Sequence, residues 1–404
     1  MQLIGLMGVT GRTRLLLAVV CAVAVASVYA GQPVLGQMGG DLGVPAEAVG
    51  WFVAAGQLGY LAGLVLLVPL GDLWDRRRLI TLHLFLVAGG LMTAAAAPNA
   101  GVAFTGLAVA GFFAVVVQTT VAYTTALSVP SERGRNLGIV TSGVVIGILG
   151  SRILAGFLAD MWGWRSIYVT LAALAMVLGV LSLRWLRADM RTGTARYGAL
   201  LRAFGGLFAE PVFLSRGLIA FFLFASFGTL WSGMALPLQG GPWRLSETQI
   251  GMFGIAGLAG ALGATRAGRW ADAGNANRTT GIALVLLIAS WAAIGQLPWS
   301  LILLTLGVIL LDFAVQAVHV SNQHILTTVH PARASTTIGA YMVFYSLGSA
   351  LGAASTTALY SAAGWVGSAG LGAALAAAGL LTWALSSRAA RRARNPAPPG
   401  TATQ

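Results

Sequence analysis

Long apolar runs separated by short polar turns recur along the whole chain. Each approaches the roughly 20 residues that a helix needs to cross a hydrocarbon core of about 30 Å. They fall at Leu15–Leu35, Val49–Val68, Leu79–Ala97, Val102–Ala126, Leu137–Leu158, Ser166–Leu186, Gly217–Leu238, Gly251–Ala267, Thr280–Leu297, Leu301–Val320, Ile338–Ala358 and Val366–Ser386. Twelve runs predict an all-α polytopic membrane protein. The first run follows Arg12 and Arg14 and contains Val28-Tyr29-Ala30, a pattern shared with cleavable signals. It is long for a signal core, and its loss would unbalance the repeat described next, so it is read as a retained span.

The second six runs echo the first six. Gly63, Gly71 and Asp75 recur as Gly260, Gly268 and Asp272, while Gly138, Gly147, Gly163 and Trp164 recur as Gly339, Gly348, Gly364 and Trp365. A weaker echo relates Gln118 to Gln316. The pattern predicts two pseudo-symmetric six-helix bundles, residues 1–186 and 216–387, of the kind that rock about a site at mid-membrane. Glycine pairs concentrate in every third span, where small residues let helices approach closely and slide. Residues 187–215 read as a linker on the arginine-rich side, with Leu200, Leu201, Phe204, Leu207 and Phe208 suggesting an interfacial helix. Residues 388–404 read as a disordered basic and Pro-rich tail.

Composition agrees with this pattern: 57% of residues are hydrophobic and only 9% charged. The net charge of +13 would suggest nucleic acid were the charge not so one-sided. All the basic residues are arginines. They lie on one side of the predicted layout, except Arg165 and Arg244 on the other side and Arg152 within a span. Positive charge accumulates in cytoplasmic loops, so both termini are expected inside the cell. The charge is therefore topological, and no nucleic-acid partner is expected. The lone Cys21 permits no internal disulfide.

The tenth run carries the sharpest chemical signal. Asp312, Gln316, His319 and Gln323 recur at helical spacing and share one face. An acid at membrane depth is costly and by default marks a functional site. A structural hydrogen-bond stripe gluing two helices is the plainer alternative. Burial favours the neutral acid and a nearby arginine favours the carboxylate, so the sequence leaves its charge open. Arg152 lies about 22 Å along its helix. It admits three readings: a partner for Asp312, an anion-binding group, or an arginine snorkelling outward.

The six-plus-six plan, with the Pro69–Leu79 loop PLGDLWDRRRL after the second span, resembles the major facilitator superfamily. Further residues make it similar to the twelve-span drug:proton antiporters and metabolite exporters of bacteria. They are Glu132 to Arg135, Ser151-Arg152 with Gly156, Gly163-Trp164-Arg165, and the run from Leu311-Asp312 to Asn322-Gln323. It departs from the family in lacking a Gly after Asp75, an arginine early in the fourth span (Thr105 stands there) and acids at that span's end (Thr124, Thr125). The resemblance implies alternating access, with proton-coupled efflux of a small, partly hydrophobic molecule and Asp312 as the proton carrier. It further implies a cavity lined by the first, fourth, seventh and tenth spans, where Tyr29, Gln32, Gln118, Tyr123, Trp231, Gln316 and His319 join Arg152 as candidates. For Tyr29, a place in the interfacial aromatic belt is as good a reading. Gly71, Asp75, Arg76 and Arg77, with Gly268 and Asp272, are the expected cytoplasmic gate, Asp75 meeting the start of the eleventh span.

A monomer in the bacterial inner membrane is expected, in contact with lipid, small-molecule substrate and protons. No cofactor or metal is expected: His83, His319, His324 and His330 lack metalloprotease spacing and no phosphate-binding loop is present, which argues against an enzyme. A facilitator or uptake carrier for a sugar-like metabolite is the nearest rival reading. A non-transporting receptor is a distant one.

Overall fold

The computed structural model describes residues 10–129, 131–189, 196–264 and 270–394. Among the described residues the secondary structure is helical, with no strand. The first span, Gly11–Tyr29, continues through a 3₁₀ turn into Leu35–Leu42. The second is Gly50–Leu66, the third Arg76–Ala95, and the fourth Ala100–Phe113 extended by Val116–Leu127. The fifth and sixth are Arg133–Trp162 and Arg165–Trp185. A linker helix, Tyr197–Gly206, leads to the seventh span, Pro211–Gly233, and its extension Ala235–Gln239. The eighth is broken into Glu247–Gly251 and Phe253–Gly263; the ninth is Ala276–Ile294 and the tenth Leu301–Val329. The eleventh and twelfth run as one stretch, Ala334–Arg394, divided at Gly364.

Among the described residues, ten helical stretches are long and apolar enough to cross a membrane. Twelve crossings follow because one of these stretches turns back at Gly364 and the eighth span is in shorter pieces. The last helix continues through Arg394, into the stretch expected to be tail; residues 395–404 lie outside the described residues.

The internal echoes correspond to duplicated contacts. A methyl group built on Gly63 would strike the carbonyl of Phe112 in the fourth span, and one on Gly260 would strike that of Ile309 in the tenth. Both members of the first contact recur 197 positions later in the second. Likewise Gly147 lies against Ala22 of the first span and its echo Gly348 against Phe221 and Ala225 of the seventh. Gly163 and Gly364 end their helices at φ 77° and 61°, a region that L side chains avoid. The tryptophan after each one anchors the turn: Trp164 Nε1 donates to Asp41 and Trp365 Nε1 to the Ile294 carbonyl.

Backbone carbonyls cannot move aside for a side chain, so Gly260→Val should cost about 1–3 kcal/mol through overpacking. The expected result is a clearly lowered thermal midpoint in detergent. Gly89 has open space around its position. Gly89→Ala should be neutral or stabilise by up to about 1 kcal/mol, because alanine loses less backbone entropy in a helix. Equal midpoints for the two variants would contradict this packing.

Candidate functional site

The two bundles enclose a cavity of about 810 Å³. Its mouth lies between the loop after the second span (Pro69, Gly71, Asp72) and the start of the eleventh (Thr336, Ile338, Gly339). The linker helix borders the mouth through Leu200, Ala203 and Phe204. This is the arginine-rich face, and among the described residues the first helix starts and the last helix ends on it. Arg14 near the start of the first span donates to Asn136 at 3.0 Å, and Trp383 in the last helix donates to the Asn277 carbonyl.

The opposite face is shut. Asp160, at the end of the fifth span, accepts from the backbone N–H groups of Glu247 and Thr248, which start the eighth span in the other bundle, at 3.1 and 2.9 Å. A carboxylate suits this position, because the N–H groups of a helix start are unpaired and its dipole end is positive. Below it Gly156, Gly251 and Gly254 let the two helices touch backbone to backbone. On the other side of the molecule Gly50 lies against the Ala353 carbonyl, and Thr357 donates to the Glu47 carbonyl at 3.0 Å.

Between cavity and closed face sits a buried cation. Arg152 is 1% exposed. Its Nε and one terminal nitrogen donate to Gln32 Oε1 at 3.1 and 2.6 Å, and the other donates to the Ile148 carbonyl at 2.7 Å. The guanidinium lies 3.8 Å from the centre of the Trp231 ring, a cation–π contact. Gln32 in turn donates to Ser232 Oγ at 3.1 Å. The first, fifth and seventh spans therefore meet through one charge, which neither snorkels to the surface nor stands on the cavity wall. Trp231 and Gln32 share this place behind the wall.

Asp312 does line the cavity, with Tyr29, Gln118, Gln316 and His319. Its carboxylate lies near Arg152 and the Trp231 indole, and the buried Oδ2 makes no hydrogen bond of ordinary geometry. Gly257 in the eighth span makes room for it: a methyl group there would come 3.0 Å from Oδ2 and 2.9 Å from the Trp231 ring. His319 is held on both nitrogens, by Tyr341 at 3.3 Å and Gln323 at 2.9 Å. Tyr29 meets Tyr345 of the other bundle hydroxyl to hydroxyl. Tyr345 packs against Phe224 with ring centres 4.0 Å apart. Tyr123 is turned away from the cavity, because its hydroxyl pairs with the backbone of Arg187 at the start of the linker.

The gate candidates are only partly together. Gly71 and Arg76 line the mouth. Asp75 caps its own third span through the Arg77 N–H at 2.8 Å rather than the start of the eleventh, because the mouth is open. Arg76 is paired with Asp72 at 3.2 Å and Asp189 at 3.0 Å, and Arg77 donates to the Leu183 carbonyl. Asp272 stands in a π-helical turn, Ala271–Asn275, and Gly268 lies outside the described residues. Sequence reasoning missed Gln57, Tyr60, Tyr345, Gly257 and Asp160. Gln57 and Tyr60 carried a usable signal, polar positions three apart in the apolar second span. The rest depend on contacts between bundles, which no local pattern records.

Residues 15–353 match the sequence profile of the Major Facilitator Superfamily. The uncharacterized transporter YgaY of Escherichia coli O157:H7 is 38% identical over 91% of this chain and 94% of its own length. The multidrug resistance protein Stp of Mycobacterium tuberculosis is 33% identical, over 33% of this chain and 25% of its own. Among solved structures, an inward-facing bacterial homolog of the human lysosomal transporter Spinster superposes with a TM-score of 0.76 at 16% identity, covering 93% of this chain and 96% of that one. The nucleoside transporter NupG superposes with a TM-score of 0.70 at 14% identity, covering 93% and 99%.

The Asp160 contact yields a test of the closed face. Asp160 is exposed, so solvent limits its contribution to about 0.5–1 kcal/mol. Asp160→Ala should raise the population opened on that face about two- to fivefold. Pulsed spin-label distances between Ala96→Cys and Trp299→Cys, both exposed there, should gain a longer component; buried Cys21 will not label. An unchanged distribution would show that Asp160 does not hold the face shut.

Proposed function

The chain belongs to the major facilitator superfamily, and from that premise we propose that it is a proton-coupled exporter of small, partly hydrophobic molecules. It is a multi-pass membrane transporter with a small-molecule substrate. In this reading the arginine-rich face is cytoplasmic, following the bias of positive charge toward inner loops. The described state is then open to the cytoplasm, ready to load cargo for export.

One observation carries the proposal. Asp312 is a buried acid on the cavity wall, with an oxygen to which the nearby Trp231 indole makes no hydrogen bond of ordinary geometry. A buried carboxylate without full compensation is costly, and taking up a proton relieves that cost. Arg152 stands near it as a buried cation. It is itself fixed by Gln32 and Trp231, so it does not neutralise the acid through a direct hydrogen bond. Two opposed influences on one acid leave it able to change charge as the cavity changes sides. The Arg152 junction joins spans of both bundles, so a change of charge at Asp312 acts on a contact that rocking must break. The cavity's many apolar and aromatic walls suit a partly hydrophobic cargo. The multidrug-resistance relative points the same way. The glutamines on the wall, Gln57, Gln118, Gln316 and Gln323, favour a second reading, an uptake carrier for a sugar-like metabolite.

Purified protein in proteoliposomes with an imposed pH gradient separates these readings. Export predicts that a gradient, acidic on the far face, drives lipophilic drugs out of the compartment facing the arginine-rich side. Asp312→Asn should abolish gradient-driven transport, at least about a hundredfold for loss of an essential proton carrier, and retain substrate exchange without a gradient. Gradient-driven transport by Asp312→Asn would defeat the assignment.

A further inference from the structure

The wall opposite Asp312 holds a second set of unsatisfied polar atoms, on a span outside the expected cavity-lining four. Gln57 of the second span is 0% exposed to solvent and lines the cavity. Neither its amide nitrogen nor its amide oxygen makes a hydrogen bond of ordinary geometry, although the Tyr29 hydroxyl lies close enough to interact with the side chain. One turn along, Tyr60 accepts from Gln118 Nε2 at 2.8 Å, which leaves Gln118 Oε1 buried and without a partner as well. Buried amides are hydrogen-bonded in nearly all native structures, and an orphaned pair facing a cavity points to something that enters it. Here a donor and an acceptor on one planar group face the chamber together, with a further acceptor beside them.

We propose that Gln57, supported by Gln118, is a recognition site for one uncharged group of the substrate that carries a donor and an acceptor side by side, such as a primary amide or a lactam edge. The site follows from the chemistry of an amide, whose N–H and C=O match another amide in a two-bond pair. No ionised side chain stands with Gln57 among its cavity neighbours on the first and fourth spans, so a charged group gains no partner there. The apolar remainder of the molecule rests against Phe224, Phe227 and Tyr345 of the other bundle. Substrate held this way touches both bundles and leaves Asp312 free for its proton. The proposal rests on reading the cavity as the substrate chamber.

The test uses full-length protein in nanodiscs and two probes, 2-naphthamide and methyl 2-naphthoate, measured by equilibrium dialysis against empty nanodiscs. The probes share a ring and a carbonyl, and only the amide can donate. The parent should prefer the amide about tenfold, since a site with buried polar groups rejects an analogue that leaves them unpaired. Gln57→Leu should bring the preference within about twofold, weakening the amide, which loses two bonds, more than the ester, which loses one. Gln57→Asn, which keeps the amide on a shorter stem, should retain part of it. Without ligand, Gln57→Leu should melt at or above the parent's temperature, because it removes an unsatisfied buried group. Equal binding of the two probes by the parent, an unaltered preference in Gln57→Leu, or a lowered melting temperature in that variant would each overturn the proposal. Gradient-driven transport by a parent that does not discriminate the probes overturns this site alone. Loss of transport with discrimination intact overturns only the exporter reading.

Discussion

A guanidinium buried between two bundles is the constraint from which the other features follow. A charge removed from water is tolerable only when every donor is engaged and an anion or π-face compensates it. Arg152 comes close to that condition: three of its five N–H donors bond Gln32 and the Ile148 carbonyl, the Trp231 face covers it, and Asp312 is nearby. In the proposed mechanism this junction is made when the far face is closed and broken when it opens, and Asp312, near Arg152, alters that balance by gaining or losing a proton.

The surrounding helices are arranged so that such a switch can be expressed as motion. Gly63 against Phe112 and Gly260 against Ile309 bind each bundle internally by the same backbone contact, as rocking of whole bundles in the proposed mechanism requires. Between bundles the contacts are of another kind: Gly50 on Ala353, Gly251 on Arg152 and Gly156 on Glu247 are smooth backbone surfaces. A few hydrogen bonds pin them at the rim, of which those to Asp160 are charge-assisted. Smooth surfaces held by a small number of polar contacts separate and re-form readily. The open mouth shows the complementary half of the cycle, with Asp75 turned to its own helix and the eleventh span clear of it.

Much of this fold was legible in the sequence because a membrane restricts the answer so severely. Apolar runs gave the spans, and the echoes of Gly63 in Gly260 and Gly147 in Gly348 marked contacts that do exist twice. Arginine placement showed which loops share a face. Legibility ended where a residue's surroundings come from distant parts of the chain. Helical spacing correctly put Asp312, Gln316 and His319 on one face, and all three line the cavity. The family resemblance placed Arg152 and Trp231 in the cavity, but their mutual stacking draws them behind its wall. Tyr123 was equally plausible as lining until the Arg187 backbone claimed its hydroxyl. Nothing in the local pattern marks Asp160, since the helix start that it caps belongs to the other bundle. Gln57 was visible as a polar residue in an apolar span, yet its lack of partners is a property of the assembled structure.

The central claim is that protonation of one acid sets which face is open. Its most direct measurement is the pH dependence of spin-label distances across the far face, between positions 96 and 299, in the parent and in Asp312→Asn, with no substrate present. The account predicts that the parent's distribution moves with pH between two discrete distances, and that the variant's stays fixed at every pH. A variant that follows pH as the parent does would show that some other group drives the transition.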